Sequence, residues 1–293
     1  MRVLVTGGAG FIGSYLSKTL AEKNEVFIFD NLSTGTIENL SNNIAFIKGD
    51  LRNLKDLEKI PNVDIVFHLA AQVSVPYSIS NPKEDAEINI IGTINLLEWC
   101  KKEKVKKVIY ISSAAVYGEP IYLPIDEKHP TNPISPYGIS KLAAEKYVLL
   151  CQTSIVLRLA NVYGKGGVKE GEAGVIHIFA DNLKENKSLK IFGDGTQGRD
   201  FIHIKDVINA CLLTLNYNGR KRIFNIGSGK ETIINQLVEL FRKYKPDLEV
   251  DYLEKRKGDT YKSYFDISRA KNELKFRPKI ELEDGIKELL EVL

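Results

Sequence analysis

The chain is poor in the residues that build metal centres and disulfide frameworks: its 293 residues include three cysteines and four histidines. Cys100, Cys151 and Cys211 are odd in number and lack metal-ligand spacing. That argues against a cystine-stapled secreted scaffold and fits a reducing cytoplasm. His68 and His203 lie in apolar, strand-like runs with no second ligand at metal spacing, so both are expected to be structural and no metal is expected. No apolar run approaches bilayer-spanning length, and the first residues already read as a strand, so neither a membrane span nor a signal peptide is expected. Charge of one sign is not in excess either. With 41 basic and 38 acidic residues the net charge is +3, too balanced for a nucleic-acid footprint, although an anionic small ligand needs only a few local cations. Internal repeats, low-complexity tracts and linkers are also missing.

What the chain does carry is an alternation of two hydrophobic periods. Strand-like runs recur at Arg2–Thr6, Val26–Phe29, Ala45–Ile47, Asp64–Leu69, Lys107–Ser112 and Ile155–Leu159, with helical patterns near 53–60, 84–103 and 137–150. Strands apolar enough to be buried on both faces, alternating with helices, predict an α/β fold on a doubly wound parallel sheet. Ligands of such a sheet gather at the carboxyl ends of its strands, where Asp50, Ala70, Ala71 and Ser113 fall. After Gly164 come a glycine-rich loop, short segments and helices near 231–244 and 282–292. The expected organisation is a Rossmann domain over 1–164, to which about 206–227 returns, and a smaller α/β lobe over 165–205 and 228–293.

The first strand runs into Gly7-Gly8-Ala9-Gly10-Phe11-Ile12-Gly13 and then a helical pattern through Leu16 and Leu20. Strand, glycine turn and helix are the context of a dinucleotide fingerprint. Gly7 permits the tight turn, Gly10 lets the backbone approach a pyrophosphate, and Gly13 allows close helix–strand packing. Amides at the helix start then meet the phosphates. The next strand ends at Asp30, 23 residues after Gly7. An acid there bonds ribose hydroxyls and repels a 2′-phosphate, so NAD is expected over NADP.

Far downstream, Ser135-Pro136-Tyr137-Gly138-Ile139-Ser140-Lys141 sets Tyr137 and Lys141 four apart, on one face of a helix. Ser135 suits the N-cap and Pro136 the first helical position, which puts Tyr137 in the first turn. The helix end and the Lys141 cation both favour the phenolate. A free tyrosine titrates near ~10, and bringing it to ~7 takes roughly 4 kcal/mol. Two aligned positive influences are expected to supply that.

These segments occur in order with Gly49-Asp50-Leu51, His68-Leu69-Ala70-Ala71, Asn89-Ile90-Ile91-Gly92-Thr93, Ser112–Gly118, Gly198–His203 and Arg256–Asp259, from residue 3 to about residue 278. Together they resemble the extended short-chain dehydrogenase/reductase family, and within it the nucleotide-sugar epimerases of the UDP-glucose 4-epimerase type. The resemblance implies that Tyr137 takes a proton from a sugar hydroxyl, that Lys141 supports the phenolate, and that Ser113 bridges Tyr137 and the sugar oxygen. It implies NAD along Gly7, Gly10, Phe11, Ile12, Gly13, Asp30, Asn31, Asp50, Leu51, Leu69, Ala70, Ala71, Ser112, Tyr137 and Lys141, with Asn89 a polar anchor beneath. It implies a nucleotide sugar on Ser113, Tyr137, Asn161, Lys190, Phe192, Arg199, Arg256, Asp259 and Ser263. The arginines would clamp the diphosphate and Phe192 would wall the base. Tyr117 is expected to line the pocket. A homodimer through the helices near 84–103 and 137–150 is also implied.

The implied reaction is a 4-epimerisation that interconverts UDP-glucose and UDP-galactose through a 4-keto sugar, with NAD kept as a prosthetic group. Related 4,6-dehydratases carry an acidic pair after the serine, and decarboxylating relatives usually carry a glutamate at the position of Ala115; this chain has Ala114 and Ala115. Asp30 opposes an NADPH-consuming reductase. The intact Ser113, Tyr137 and Lys141 oppose a non-catalytic NAD-binding sensor. Four residues beyond Asp259, where relatives selective for plain hexoses carry a tyrosine, this chain has Ser263. The small side chain is expected to admit UDP-GlcNAc and UDP-GalNAc as well.

Overall fold

Val3, Leu4 and Val5 of the first strand are all fully buried, so that strand has no solvent face. Period-two alternation sends its residues to opposite sides. Val3 and Val5 join Ile28, Phe67, Ile109 and Leu157 in one apolar core. Leu4 joins Phe27, Phe29, Val66, Val108 and Val156 in another. The computed structural model describes residues 1–41, 44–166, 174–255 and 261–291.

The strands between these two cores are β1 (Arg2–Thr6), β2 (Glu25–Asp30), β3 (Ala45–Lys48), β4 (Ile65–His68), β5 (Lys107–Ser113) and β6 (Ile155–Leu159). Short strands follow: β7 (Asn161–Tyr163), β8 (Leu189–Phe192), β9 (Gly198–Arg199), β10 (Phe201–His203), β11 (Ile223–Ile226), β12 (Thr232–Ile233), β13 (Val250–Leu253) and β14 (Lys262–Ser263). The seven-stranded sheet has the order β11-β6-β5-β4-β1-β2-β3 and is parallel throughout. Helices Phe11–Ala21 and Ile204–Leu215 cover one face, and Gly92–Lys102 and Pro136–Leu150 the other. This is the doubly wound α/β fold. The strand order reverses between β1 and β4, and a crevice opens outside their carboxyl ends.

A third core holds Ile176, Phe179, Leu189, Ile191, Leu237, Phe241 and Ile286. Around it β7 pairs with β10, β8 with β13, and β9 with both β12 and β14. The helix expected near 53–60 is a single turn, Leu54–Leu57, capped by the Asn53 side chain. The pattern near 84–103 is three segments in sequence, Pro82–Ala86, a wider π-type turn at Glu87–Ile91, and Gly92–Lys102. Single π-type turns recur at functional positions, and this one carries Asn89.

Candidate active site

The cleft sits at the strand-order reversal. It has a volume of about 650 Å³ and is bounded by the turn after β1, the ends of β2 and β5, the Leu69–Ser74 segment after β4, and Tyr137 and Lys141. Gly7 turns the chain with φ +69°, and a Cβ there would lie 2.6 Å from the Ala70 amide. At Gly13 a Cβ would come 2.1 Å from the Gly7 carbonyl oxygen. Only glycine permits that approach, which brings the start of helix Phe11–Ala21 against the strand turn and aims its free amides into the cleft. Asp30 ends β2 on the cleft wall, with its carboxylate accepting from Ala9 N at 3.0 Å and Leu32 N at 2.8 Å. Asn31 donates to Asp50 at 3.0 Å. Asp50 is also gripped by Arg52 Nε and a terminal nitrogen at 3.0 and 2.7 Å, which holds its carboxyl down at about 2.

The opposite wall is built by Pro136–Leu150. Ser135 Oγ accepts from Gly138 N at 3.1 Å and Pro136 opens the helix, so Tyr137 lies in its first turn. Lys141, one turn on, is 3 % exposed; its ammonium donates to Ile111 O at 2.6 Å and stands 4.3 Å from the centre of the Tyr110 ring. Burial draws Lys141 down to about 7, with Glu145 and then Asp85 acting against it. Tyr137 departs from the sequence expectation. Burial pushes its phenol up to about 12, Ser113 pulls it down, and Asp85 raises it further. Desolvation is the dominant cause, and the lysine's hydrogen bond goes to the strand backbone and not to the phenol. The protein's own groups therefore leave Tyr137 protonated near neutrality.

Ser113 lies at the end of β5, where its hydroxyl also accepts from Ala115 N at 3.2 Å. Ser112, although on the cleft wall, turns its hydroxyl into the core and donates to Glu145 at 2.5 Å. Glu145 is fully buried and paired with Arg158 through two nitrogens at 3.0 and 2.7 Å. Both ring nitrogens of His68 are occupied by Thr6 and Thr93 at 2.8 Å, and burial followed by the Lys141 charge lowers its pKa to about 3. His203 is buried and accepts from Lys205 N.

Of the residues expected at a cofactor, Gly7, Gly10, Phe11, Ile12, Gly13, Asp30, Asn31, Asp50, Leu51, Leu69, Ala70, Ala71 and Ser112 do line the cleft, with Tyr137 and Lys141. Asn89 does not. Its amide oxygen accepts from Gln72 N, and its nitrogen donates to Gln72 O, Asp85 and Ser140 Oγ, so it braces the wall from behind. Tyr117 is a second correction: it is fully buried, donates to Asn225 at 2.6 Å and lies under the Arg158 guanidinium. Gln72, Arg52, Asp85 and Glu145 were missed in the sequence. Position alone offered a signal for three of them: Gln72 follows Ala71, Arg52 stands two beyond Asp50, and Glu145 is one helical turn beyond Lys141.

Of the residues expected at a nucleotide sugar, Ser113 and Tyr137 line the cleft, whose wall also includes Ala160 and Val162 on either side of Asn161. Asn161 opens β7 and its amide donates to Asp200 O at 3.0 Å. Arg199 donates to Gly198 O and Tyr261 O, and on the neighbouring strand Ser263 is its register partner. Lys190 is exposed on β8, and Phe192 ends that strand half-buried. Arg256 and Asp259 lie outside the described residues.

Fold and cleft together define a Rossmann-type dinucleotide-binding protein. Residues 3–227 match the NAD dependent epimerase/dehydratase family, and the chain belongs to that family. It is 38 % identical to the UDP-glucose 4-epimerase of Mycolicibacterium smegmatis over 99 % of this chain and 98 % of that one. Among solved structures it superposes on the Thermotoga maritima UDP-glucose 4-epimerase, crystallised with UDP-glucose, with a TM-score of 0.95 and 41 % identity over 99 % of this chain and 98 % of that one. It also superposes on the UDP-N-acetylglucosamine 4-epimerase of Methanobrevibacter ruminantium, in complex with UDP-N-acetylmuramic acid, with a TM-score of 0.92, 38 % identity and 99 % and 97 % coverage. The protein is an NAD-dependent enzyme. No helix among the described residues is long and apolar enough to cross a membrane.

The glycine cradle carries the first prediction. Gly13→Ala should cost about 1–3 kcal/mol of overpacking strain and strip the purified protein of NAD. Assay of dinucleotide released on denaturation, beside an unfolding titration, checks both.

Proposed function

We propose that the protein is a UDP-hexose 4-epimerase that interconverts UDP-glucose and UDP-galactose through a 4-keto sugar. The observation that carries this reading is the convergence of Ser113, Tyr137 and Lys141 on the wall of the glycine-cradled cleft. Bound NAD supplies the hydride chemistry and a positive charge. Tyr137 removes the proton of the sugar's 4-hydroxyl and, once the 4-keto sugar has turned its other face to the cofactor, returns that proton to the same oxygen. Ser113 aligns that oxygen with the phenol. Lys141, pinned by Ile111 O, keeps its charge beside the tyrosine as the phenolate forms. Glycines 7, 10 and 13, Asp30 and Asp50 hold the dinucleotide, and Asp30 selects against a 2′-phosphate.

Turning the ketone over requires a loosely held sugar and a firmly held nucleotide, so binding energy belongs on the diphosphate and base. We assign that task to the smaller lobe, 165–205 with 228–293, through Arg199, Arg256, Asp259, Lys190 and Phe192, with Asn161 from the end of the larger domain. Ala114 and Ala115 carry no proton to move, which argues against dehydration or decarboxylation at this site.

Incubation of the purified protein with UDP-galactose, without added NAD, should yield UDP-glucose and no accumulating NADH. Tyr137→Phe should lower kcat by roughly 10²–10⁴-fold while NAD remains bound; an active variant would remove Tyr137 as the base.

Ser263, beside Arg199, carries the substrate range. We infer tolerance of a 2-acetamido group, so that UDP-GlcNAc and UDP-GalNAc are also interconverted. Ser263→Tyr should abolish turnover of the acetamido sugars and spare the hexoses, as read by separate assays; equal loss of both would refute the assignment.

Ile91, Ile139, Tyr147 and Leu150 are exposed apolar residues on the two helical segments expected to pair. We infer a homodimer through them. Sedimentation equilibrium should give twice the chain mass, and Ile139→Glu with Leu150→Glu should give the monomer; a monomeric wild type at micromolar concentration sinks the inference.

A further inference from the structure

Helix Pro82–Ala86 buries a carboxylate that the chemistry above does not use. Asp85 is 1 % exposed. Its Oδ1 accepts from Gln72 Nε2 at 2.7 Å and Asn89 Nδ2 at 3.2 Å. Its Oδ2 is buried without a hydrogen-bond partner, and Asp85 forms no ion pair among the described residues. Proteins seldom leave a buried carboxylate so, because an isolated charge in the interior is costly. Glu145, the other buried acid beside the site, is matched by Arg158 through two nitrogens. Asp85 has no such match, and its field is little screened in a low-dielectric interior.

The groups within reach of that field are those of the site. The Asp85 charge raises Tyr110, Tyr137 and Lys141 alike. A hydrogen-bonded chain also joins them. Asn89 Nδ2 donates to Ser140 Oγ at 3.0 Å, and Ser140 Oγ donates to Tyr137 O at 3.0 Å. Asn89 further holds the backbone of Gln72, which lines the cleft. One oxygen of Asp85 is thus tied to the cleft wall and, through Asn89, to the turn that bears Tyr137.

We propose that Asp85 is a positioning residue of this site: its bonded oxygen fixes Gln72 and Asn89 around Tyr137, and its carboxylate, paired with no cation, sets negative charge beside Tyr137 and Lys141. This rests on the roles assigned to Tyr137 and Lys141 above. Lys141 is faced by Tyr110 and Ile111 O from β5, His68 from β4, Tyr137 and Glu145 from its own helix, and Asp85 from Pro82–Ala86. His68 is neutral near pH 7, the tyrosines are phenols there, and Glu145 is paired with Arg158. Glu145 is the larger negative influence on Lys141, and Asp85 adds a charge that no cation pairs. It acts through space and leaves the lysine's hydrogen bond on Ile111 O.

Asp85→Asn keeps the shape and the Oδ1 acceptor, removes the charge and puts an amide NH2 where the unpartnered Oδ2 stands. Since Asp85 raises both Lys141 and Tyr137, its removal lowers both. The pH–rate profile for UDP-galactose turnover by the NAD-loaded enzyme should move to lower pH on both limbs by roughly one unit, with KM little changed. Asp85→Ser should shift the limbs in the same direction and serves if the amide is poorly accommodated. A profile that stays in place overturns the proposal, whether the variant is fully active or uniformly slow, because a merely structural role lowers the rate without moving the limbs. The tyrosinate absorbance that disappears in Tyr137→Phe should likewise titrate at lower pH in Asp85→Asn. That readout needs no turnover, so it still decides the role of Asp85 if the wild type does not epimerise UDP-galactose and the functional reading fails.

Discussion

A desolvated ammonium at the carboxyl edge of the sheet is the constraint around which this site is built. Lys141 is almost completely buried, and its hydrogen bond goes to a strand carbonyl. Burying that charge is tolerable only because three consecutive residues of β5 address three consecutive turns of one helix. Ile111 O receives Lys141, Ser112 donates to Glu145, and Ser113 interacts with Tyr137. Tyr137, Lys141 and Glu145 are spaced by four, so one helix face meets one strand end. Arg158, on β6 next to β5, closes the arrangement from below by pairing with Glu145. Shifting the helix against the strand would expose a buried acid and a buried ammonium together, which makes the register of Ser113, Tyr137 and Lys141 part of the folding of the sheet.

The parts of this arrangement that are local in the chain were legible. The glycine turn, Asp30 at the end of the second strand, and the Ser135 cap with its Tyr137/Lys141 pair each lie within a few residues of their own structural context, and the α/β alternation is written in the hydrophobic periods. What escaped is non-local. Glu145 lies on the same helical face as Lys141, yet nothing near it distinguishes a buried acid from a solvated one; its partner Arg158 sits on another strand. Tyr117 resembled a pocket residue until Asn225, more than a hundred residues away, claimed its hydroxyl. The segments around the third core were harder still, because their strands of two to four residues carry little periodicity and find partners far along the chain.

The protonation of Tyr137 marks the same limit and points to a coupling. Helix end and lysine are visible in the sequence, and both favour the phenolate. Burial, which the sequence does not display, opposes it and wins. Left to the protein's own groups, burial pushes the phenol's pKa up and draws the ammonium's down. Both shifts run against the proton abstraction proposed above. Asp85 corrects only half of it, since its charge supports the ammonium and also opposes the phenolate. The missing term is a positive charge on the cleft side of Tyr137, where the glycine cradle and Asp30 admit a dinucleotide. Coupling of this kind is reciprocal. A cation that lowers the phenol's pKa is itself held more tightly by the phenolate, so the base becomes competent and the cofactor becomes retained through one interaction. On the proposed function, a phenol that stays protonated until the cleft is filled would not act on a sugar before the oxidant is in place.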